Sequence, residues 1–365
     1  MSPQRPIVIA AGGTGGHFFP AEALAAELIK RGQVVVLMTD ARSGGLASPV
    51  FANAEKHVVA GAGVVGRGVK RATKALLALA QGVGQARKIL RSLNPAAIVA
   101  FGGYPSIPPV VAASFLGRSK PFVVLHEQNA VLGRANRALV RFADLLALNF
   151  AKTMLVPAGK KTACVGNPVR APITALYGQG YVPPQNKIEL LVVGGSLGAQ
   201  VFSTLLPQAL ALLPAELRAR LRVTQQCRAE GLESARACLQ QAGIQAVLAP
   251  FFNDMPQLLK KAHLVVARAG ASTVAEIAVV GRPAIFVPLA SVDNHQRINA
   301  QTLAEQGGAV ALDQASLTPA LLAQEIETLL SDPARLQTMA ACSAGFGQPH
   351  AATLLADLVM EGITA

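Results

Sequence analysis

Three stretches of the chain carry residue types that could do chemistry. In IVIAAGGTGGHFF an apolar run ends in Gly12, Gly13, Gly15 and Gly16 and is followed at once by His17. LLVVGGSLGAQ, from Leu190 to Gln200, repeats the junction with Gly194, Gly195 and Gly198. RAGASTVAEI, from Arg268, adds a third turn of small residues with Glu276 close behind. A glycine turn between strand and helix lets backbone N–H groups approach a ligand, and the positive end of the helix favours an anion, so pyrophosphate is the natural guest. Close strand–helix packing explains one such turn equally well; two in one chain favour binding.

The glycine spacing argues against a dinucleotide oxidoreductase. The G-x-G-x-x-G register that starts at Gly13 meets Phe18 where the third glycine belongs, and the second turn offers Ser196 or Leu197 in place of a second glycine. Asp40, at the spacing of a ribose-binding acid, is then a strand-end or loop residue. Thr273 and Glu276 have the spacing of a capping box, which would make them structural. Alternatively the turn from Gly270 to Thr273 admits a phosphate and the Glu276 carboxylate accepts hydrogen bonds from two vicinal ribose hydroxyls. The four cysteines are far apart and form no CxxC pair, and there is no Asp-x-Asp, so no metal site, no protein-chelated metal and no cofactor are expected.

The elements that must position these residues alternate short Val/Ile/Leu runs with helical patterns, the rhythm of parallel sheets buried on both faces. PIVIAAG, QVVVLMTD, AAIVAFGG, PFVVLHEQ and LLALNF are strands of one half; KIELLVVGG, LRVTQQ, IQAVLAP, HLVVARAG and RPAIFVPL are strands of the other. A Pro- and Gly-rich connector beginning GNPVRAPI separates them, and PARLQTMAAC and HAATLLADLVMEG read as two packed closing helices. The 365 residues, 52% hydrophobic and 15% charged, suit two doubly wound α/β domains. Their boundaries are 1–167, with a C-terminal helix at about 345–365, and 168–344. No run of about 18 apolar residues would span a membrane.

The net charge of +13 sits in one half. Residues 1–167 carry 20 basic and 6 acidic side chains, and the stretch from Lys56 to His126 has ten basic residues and no acidic one. With 4% aromatics, no Trp and no basic–aromatic interleaving, the chain lacks the stacking surface of a nucleic-acid binder.

AGGTGGHFFPA, FGGYPS, HEQNAVLGRANR, GNPVR, GGSLGAQ, RAGASTVAEIA and DNHQRINAQ, in this order and spacing, resemble the MurG family of bacterial N-acetylglucosaminyltransferases across nearly the whole chain. The resemblance implies the GT-B fold, two Rossmann-like domains facing across a cleft. It implies inverting transfer of N-acetylglucosamine from UDP-N-acetylglucosamine to the C4 hydroxyl of the muramyl sugar of lipid I, giving lipid II for peptidoglycan. Thr14, Gly15 and Gly16 would lie beside the donor sugar and acceptor diphosphate, and Asn129 would contact the donor sugar. Arg170, Ser196, the backbone at Phe252, the segment Ala271, Ser272, Thr273, Val274, Ala275 and Glu276, and Gln296 would complete the donor site. Phe252 stands where the family carries an aliphatic residue, a harmless change if only its backbone reads uracil.

Inversion needs a base for the acceptor hydroxyl. His17 is the candidate, because a helix N-terminus disfavours imidazolium and leaves a neutral ring to accept a proton. His17 could instead only hydrogen-bond a diphosphate or pack, and Glu127 could be the base or could orient its loop. His126 and His263, at strand edges, read as structural; His295 would lie near the donor sugar and Tyr104 beside the acceptor. The family's polyprenyl acceptor implies peripheral attachment to the cytoplasmic face of the cell membrane. For that surface the sequence offers Arg67, Lys70, Arg71 and Lys74 at helical spacing beside Leu76, Leu77 and Leu79, extended by Phe115 and Leu116, a pattern suited to anionic lipid. Two other classes share some of these features: a GT-B enzyme acting on a lipid such as diacylglycerol, and a non-catalytic UDP-sugar sensor.

Overall fold

A strand covered on both faces has no polar side, which is why IVIA and the VVLM of VVLMT are continuous apolar runs and every residue of both strands is buried. The computed structural model describes residues 4–13, 15–41, 48–60, 69–195, 198–290 and 293–364, without the side chains of 69–75. These divide into two units, Met1–Arg170 with His350–Ala365, and Ala171–Pro349. The connector GNPVR thus closes the first unit, and the chain returns to it at His350.

The first unit is built on β1 (Ile7–Ala10), β2 (Val35–Thr39), β3 (Glu55–Val58), β4 (Ala97–Ala100), β5 (Phe122–Glu127), β6 (Leu145–Leu148) and β7 (Thr162–Cys164). The second is built on β8 (Ile188–Val193), β9 (Leu221–Gln226), β10 (Gln245–Ala249), β11 (Leu264–Ala267), β12 (Ala284–Phe286) and β13 (Ala309–Ala311). Their orders are β3-β2-β1-β4-β5-β6-β7 and β10-β9-β8-β11-β12-β13, all pairs parallel. In each sheet the chain winds outward from its first strand and then returns to that strand's other side. The reversals fall between β1 and β4 and between β8 and β11, where the carboxyl ends of the strands open a crevice that doubly wound folds use for ligands.

The two closing helices belong to different units. Pro333–Phe346 packs in the second unit on helix Ala271–Val280, whereas Ala351–Thr364 packs in the first on helix Gly15–Lys30, with Arg31 bridging Glu27 and Asp357. Chain connectivity suggested one pair; the apolar stripe Leu355, Ala356 and Val359 instead completes the core of the first sheet. With these boundaries the first unit holds 21 Lys and Arg against 8 Asp and Glu, the second 12 against 12. All of the net charge therefore belongs to the first unit.

Candidate active site

At the β1/β4 reversal the first glycine turn is squeezed from beneath. A β-carbon on Gly12 would stand 2.8 Å from Thr39 Oγ1, 3.0 Å from Asp40 Oδ1 and 3.1 Å from Pro105 Cγ, so only glycine fits. Asp40, nearly buried, supports this turn from below. Helix Gly15–Lys30 starts here with His17 in its first turn. The His17 ring runs along the backbone of the FGGYPS turn: a β-carbon on Gly102 would lie 3.6 Å from His17 Cδ2, and one on Gly103 3.8 Å from Nδ1. Both glycines are left-handed, with φ of 81° and 69°. Ser106 donates to the carbonyls of Gly102 at 2.8 Å and Ala10 at 3.3 Å, fixing the second turn to β1. Tyr104, half-buried, heads the short 3₁₀ turn Tyr104–Ser106 next to His17's neighbours. Thr14 lies outside the described residues.

Glu127 ends β5, is 2% exposed, and has both oxygens fully engaged. Oε1 accepts from the Asn129 N–H at 2.9 Å and from Asn129 Nδ2 at 3.1 Å; Oε2 accepts from the Gly133 N–H and from Asn136 Nδ2, both at 2.8 Å. Four donors occupy about the four lone-pair sites a carboxylate offers, leaving none for a substrate proton. The geometry thus favours the loop-orienting role for Glu127: it organises the HEQN segment, including half-buried Asn129. Beside it His126 is fully buried, pairs through Nε2 with the Gly166 carbonyl at 2.9 Å and packs on Phe101. Burial pushes its imidazole down to about 4, only partly opposed by that carbonyl. Arg170, at the end of GNPVR, holds its guanidinium 4.1 Å from the centroid of the Phe19 ring, within the first unit.

The second unit repeats the plan with different side chains. Gly195 and Gly198 have φ of 82° and 67°, a β-carbon on Gly194 would overlap the Ala199 nitrogen, and the stem of Arg228 lies against Gly198. Ser196 lies outside the described residues. Across the β8/β11 reversal, helix Ala271–Val280 is capped by Gly270, with no acidic residue in its first turn. The capping-box reading of Thr273 and Glu276 is therefore overturned: a box needs Thr at the cap and Glu three residues in, whereas Thr273 is already the third helical residue. Ala271 and Val274 turn into the core and can offer a ligand only backbone, while Ser272, Thr273, Ala275 and Glu276 are half-buried on the other side. Asn299 Nδ2 holds the approach to this helix by donating to the Ala269 carbonyl at 3.1 Å.

Gln296 accepts from the Leu289 N–H at 2.9 Å and braces the segment after β12, and His295 opens helix His295–Glu305. Phe252 is half-buried after β10, beside Phe251, which is 59% exposed. His263 is structural: its Nδ1 accepts from the Glu189 N–H and its carbonyl accepts from Tyr181. Sequence reasoning passed over two buried groups here, Gln226 at the end of β9 and Arg282, whose guanidinium donates to the carbonyls of Leu259, Gly180 and Lys260. A polar pair closing an apolar strand, as in LRVTQQ, was the available signal for the first.

Leu76 and Leu77 are 66% and 71% exposed on helix Val69–Leu93, and Phe115 is 57% exposed beside a later part of that helix, its carbonyl accepting from Arg87 Nη2 at 3.4 Å. Leu79 is half-buried and Leu116 packs on the core. Lys70, Arg71 and Lys74 lie on the same helix, their side chains, like Arg67, outside the described residues. Among the described residues no helix is long and apolar enough to cross a membrane, and no group of three or more His, Cys, Asp or Glu could hold a metal ion.

Comparison with known proteins identifies the family and the fold. The glycosyltransferase family 28 N-terminal domain matches residues 7–147 and the family 28 C-terminal domain residues 189–355. A UDP-N-acetylglucosamine–N-acetylmuramyl-(pentapeptide) pyrophosphoryl-undecaprenol N-acetylglucosamine transferase of Granulibacter bethesdensis is 55% identical over 99% of this chain and 94% of its own length. The same enzyme of Acidiphilium cryptum is 55% identical over 98% of this chain and 97% of its own. The crystal structure of MurG from Acinetobacter baumannii superposes with a TM-score of 0.78 at 31% identity, covering 98% of this chain and all of that one. The architecture is GT-B, and the chain belongs to glycosyltransferase family 28, in its MurG group of N-acetylglucosamine transferases.

Proposed function

We propose that the protein transfers N-acetylglucosamine from UDP-N-acetylglucosamine to the C4 hydroxyl of the muramyl sugar of lipid I, with inversion, forming lipid II for peptidoglycan. The observation that carries this reading is full-length similarity to enzymes of that name, together with a glycine turn at the reversal of each sheet. Those relatives act on a pyrophosphoryl-undecaprenol acceptor, which favours that class over diacylglycerol.

The second unit holds the donor. As UDP departs, negative charge grows on its pyrophosphate; the first amides of helix Ala271–Val280 offer preorganised N–H donors, and the glycine turn after β8 lets the phosphates come close to the backbone. Glu276, half-buried on that helix, accepts from the ribose hydroxyls, and the backbone at Phe252 reads uracil. The first unit presents the acceptor. His17, held along the Gly102–Gly103 backbone, takes the hydroxyl proton, while Glu127 keeps the Asn129 loop in shape. Arg170, stacked on Phe19, adds positive charge beside the N-terminal turns of helix Gly15–Lys30. No protein-chelated metal and no cofactor enter the proposal. Leu76, Leu77 and Phe115, beside the basic helix, dock the enzyme peripherally on the anionic cytoplasmic face of the membrane. Incubation with UDP-N-acetylglucosamine and a short-chain lipid I analogue tests the function: UDP release should require the acceptor, and release that ignores it, or occurs equally with diacylglycerol, contradicts the reading.

A further inference from the structure

One buried side chain ties together the carboxyl ends of three neighbouring strands in the second unit. Gln226, the last residue of β9, is 5% exposed. Its Oε1 accepts from the Gly194 N–H at 3.0 Å, and its Nε2 donates to the Gly195 carbonyl at 2.9 Å and to the Pro250 carbonyl at 3.1 Å. The first two groups belong to the glycine turn after β8; the third is where the chain leaves β10 toward Phe251 and Phe252. The amide orientation is forced, because a reversed amide would set its oxygen against two carbonyls and its NH₂ against an N–H. Both amide protons and one oxygen lone pair are used. Gln225, pointing the other way, donates to the Phe202 carbonyl at 2.8 Å and so ties β9 to the helix that follows the turn, Gln200–Ala211.

Gly194 has no room for a β-carbon, and the internal hydrogen bond of the described turn, Gly198 N–H to the Gly195 carbonyl at 3.0 Å, shares its acceptor with Gln226. The loop after β10 depends on the same amide. A ligand that needs both segments pays less ordering cost when they are already fixed to each other.

We propose that Gln226 is a positioning residue that couples the phosphate-facing turn to the base-facing loop, so that the two ends of a uridine diphosphate are recognised together. This rests on the reading of the β8/β11 reversal as the nucleotide-sugar site. Gln226 touches no substrate; it acts through Gly194, Gly195 and Pro250.

The test compares wild type, Gln226→Met and Gln226→Glu in the full-length protein. Methionine keeps the volume without the amide, and glutamate keeps the reach but turns an anionic oxygen toward two carbonyls. Calorimetry with UDP should show affinity about 10- to 100-fold weaker in both variants, the cost of breaking buried hydrogen bonds. KM for UDP-N-acetylglucosamine should rise in parallel, with kcat at saturating donor within about threefold. The Gln226→Glu defect should shrink as pH falls and the carboxyl regains a donating proton, a rescue that Gln226→Met cannot show. UDP binding within about twofold of wild type in both variants, or a loss confined to kcat, overturns the proposal. If wild type itself fails to bind UDP, the donor-site reading falls instead. Hydrogen exchange on wild type needs no variant to fold: UDP should protect segments 194–199 and 249–253 together, and protection of only one overturns the coupling.

Discussion

At the carboxyl ends of its strands the first unit carries ionisable groups: His17 along a glycine backbone, Asp40 beneath the first glycine turn, and Glu127, at the end of β5, saturated by four donors. At the carboxyl end of β8 the second unit uses amides and small side chains, with Gln226 bracing one turn and Asn299 the other. Apart from the extra edge strand β7, strand order and point of reversal are the same. The proposed function gives this one scaffold two tasks. The unit proposed to move a proton and meet a lipid carries all the net charge; the unit proposed to bind the nucleotide has no net charge and offers backbone N–H groups, whose donor capacity does not vary with pH.

Four substitutions or conditions sharpen or break that contrast. His17→Ala should lower kcat by about 10² to 10⁴-fold, the usual span of general-base catalysis; a loss under about tenfold breaks the assignment of proton chemistry to the first unit. Acid should weaken the first unit through His126. Its ring is held neutral, with a folded value of about 4 against 6.5 in the unfolded chain, so the unfolded state binds the extra proton as pH falls. Stability from this group is complete above about pH 6.5 and lost progressively toward pH 4, by roughly 3 kcal/mol. Urea unfolding of wild type and His126→Phe between these limits should show the steeper pH slope in wild type; equal slopes contradict it.

Glu276→Ala should raise the donor KM by about 10- to 100-fold with little change in kcat, as expected for lost hydrogen bonds to a charged acceptor. Unchanged donor affinity would remove the ribose role. Replacing Leu76 and Leu77 by Ser should reduce partition onto anionic vesicles by about tenfold while leaving turnover of a soluble acceptor analogue intact. Equal binding of wild type to neutral and anionic vesicles would contradict the basic surface's part in docking.

The central strands were legible because both of their faces are buried, and each expected apolar run is a strand of one of the two sheets. The strands not anticipated, β3, β7 and β13, are short and at or next to a sheet edge; EKHV in β3 is charged because one side of it meets water. The glycine turns could be read because close backbone approach demands glycine. Which of Glu127's two roles holds could not be read, since it depends on donors two, six and nine residues away that converge only when the loop closes on itself. The capping-box spacing misled for a related reason: the helix begins after Gly270, and a motif has meaning only relative to where its helix starts. Likewise Leu76, Leu77 and Leu79 look alike in sequence, yet packing leaves the first two exposed and half-buries the third.

The division of labour between the units is tested most directly by titrating UDP into His17→Ala and Glu276→Ala by calorimetry, beside wild type. Donor affinity should be unchanged in His17→Ala and at least about tenfold weaker in Glu276→Ala. Equal weakening in both, or weakening in His17→Ala alone, would contradict the account.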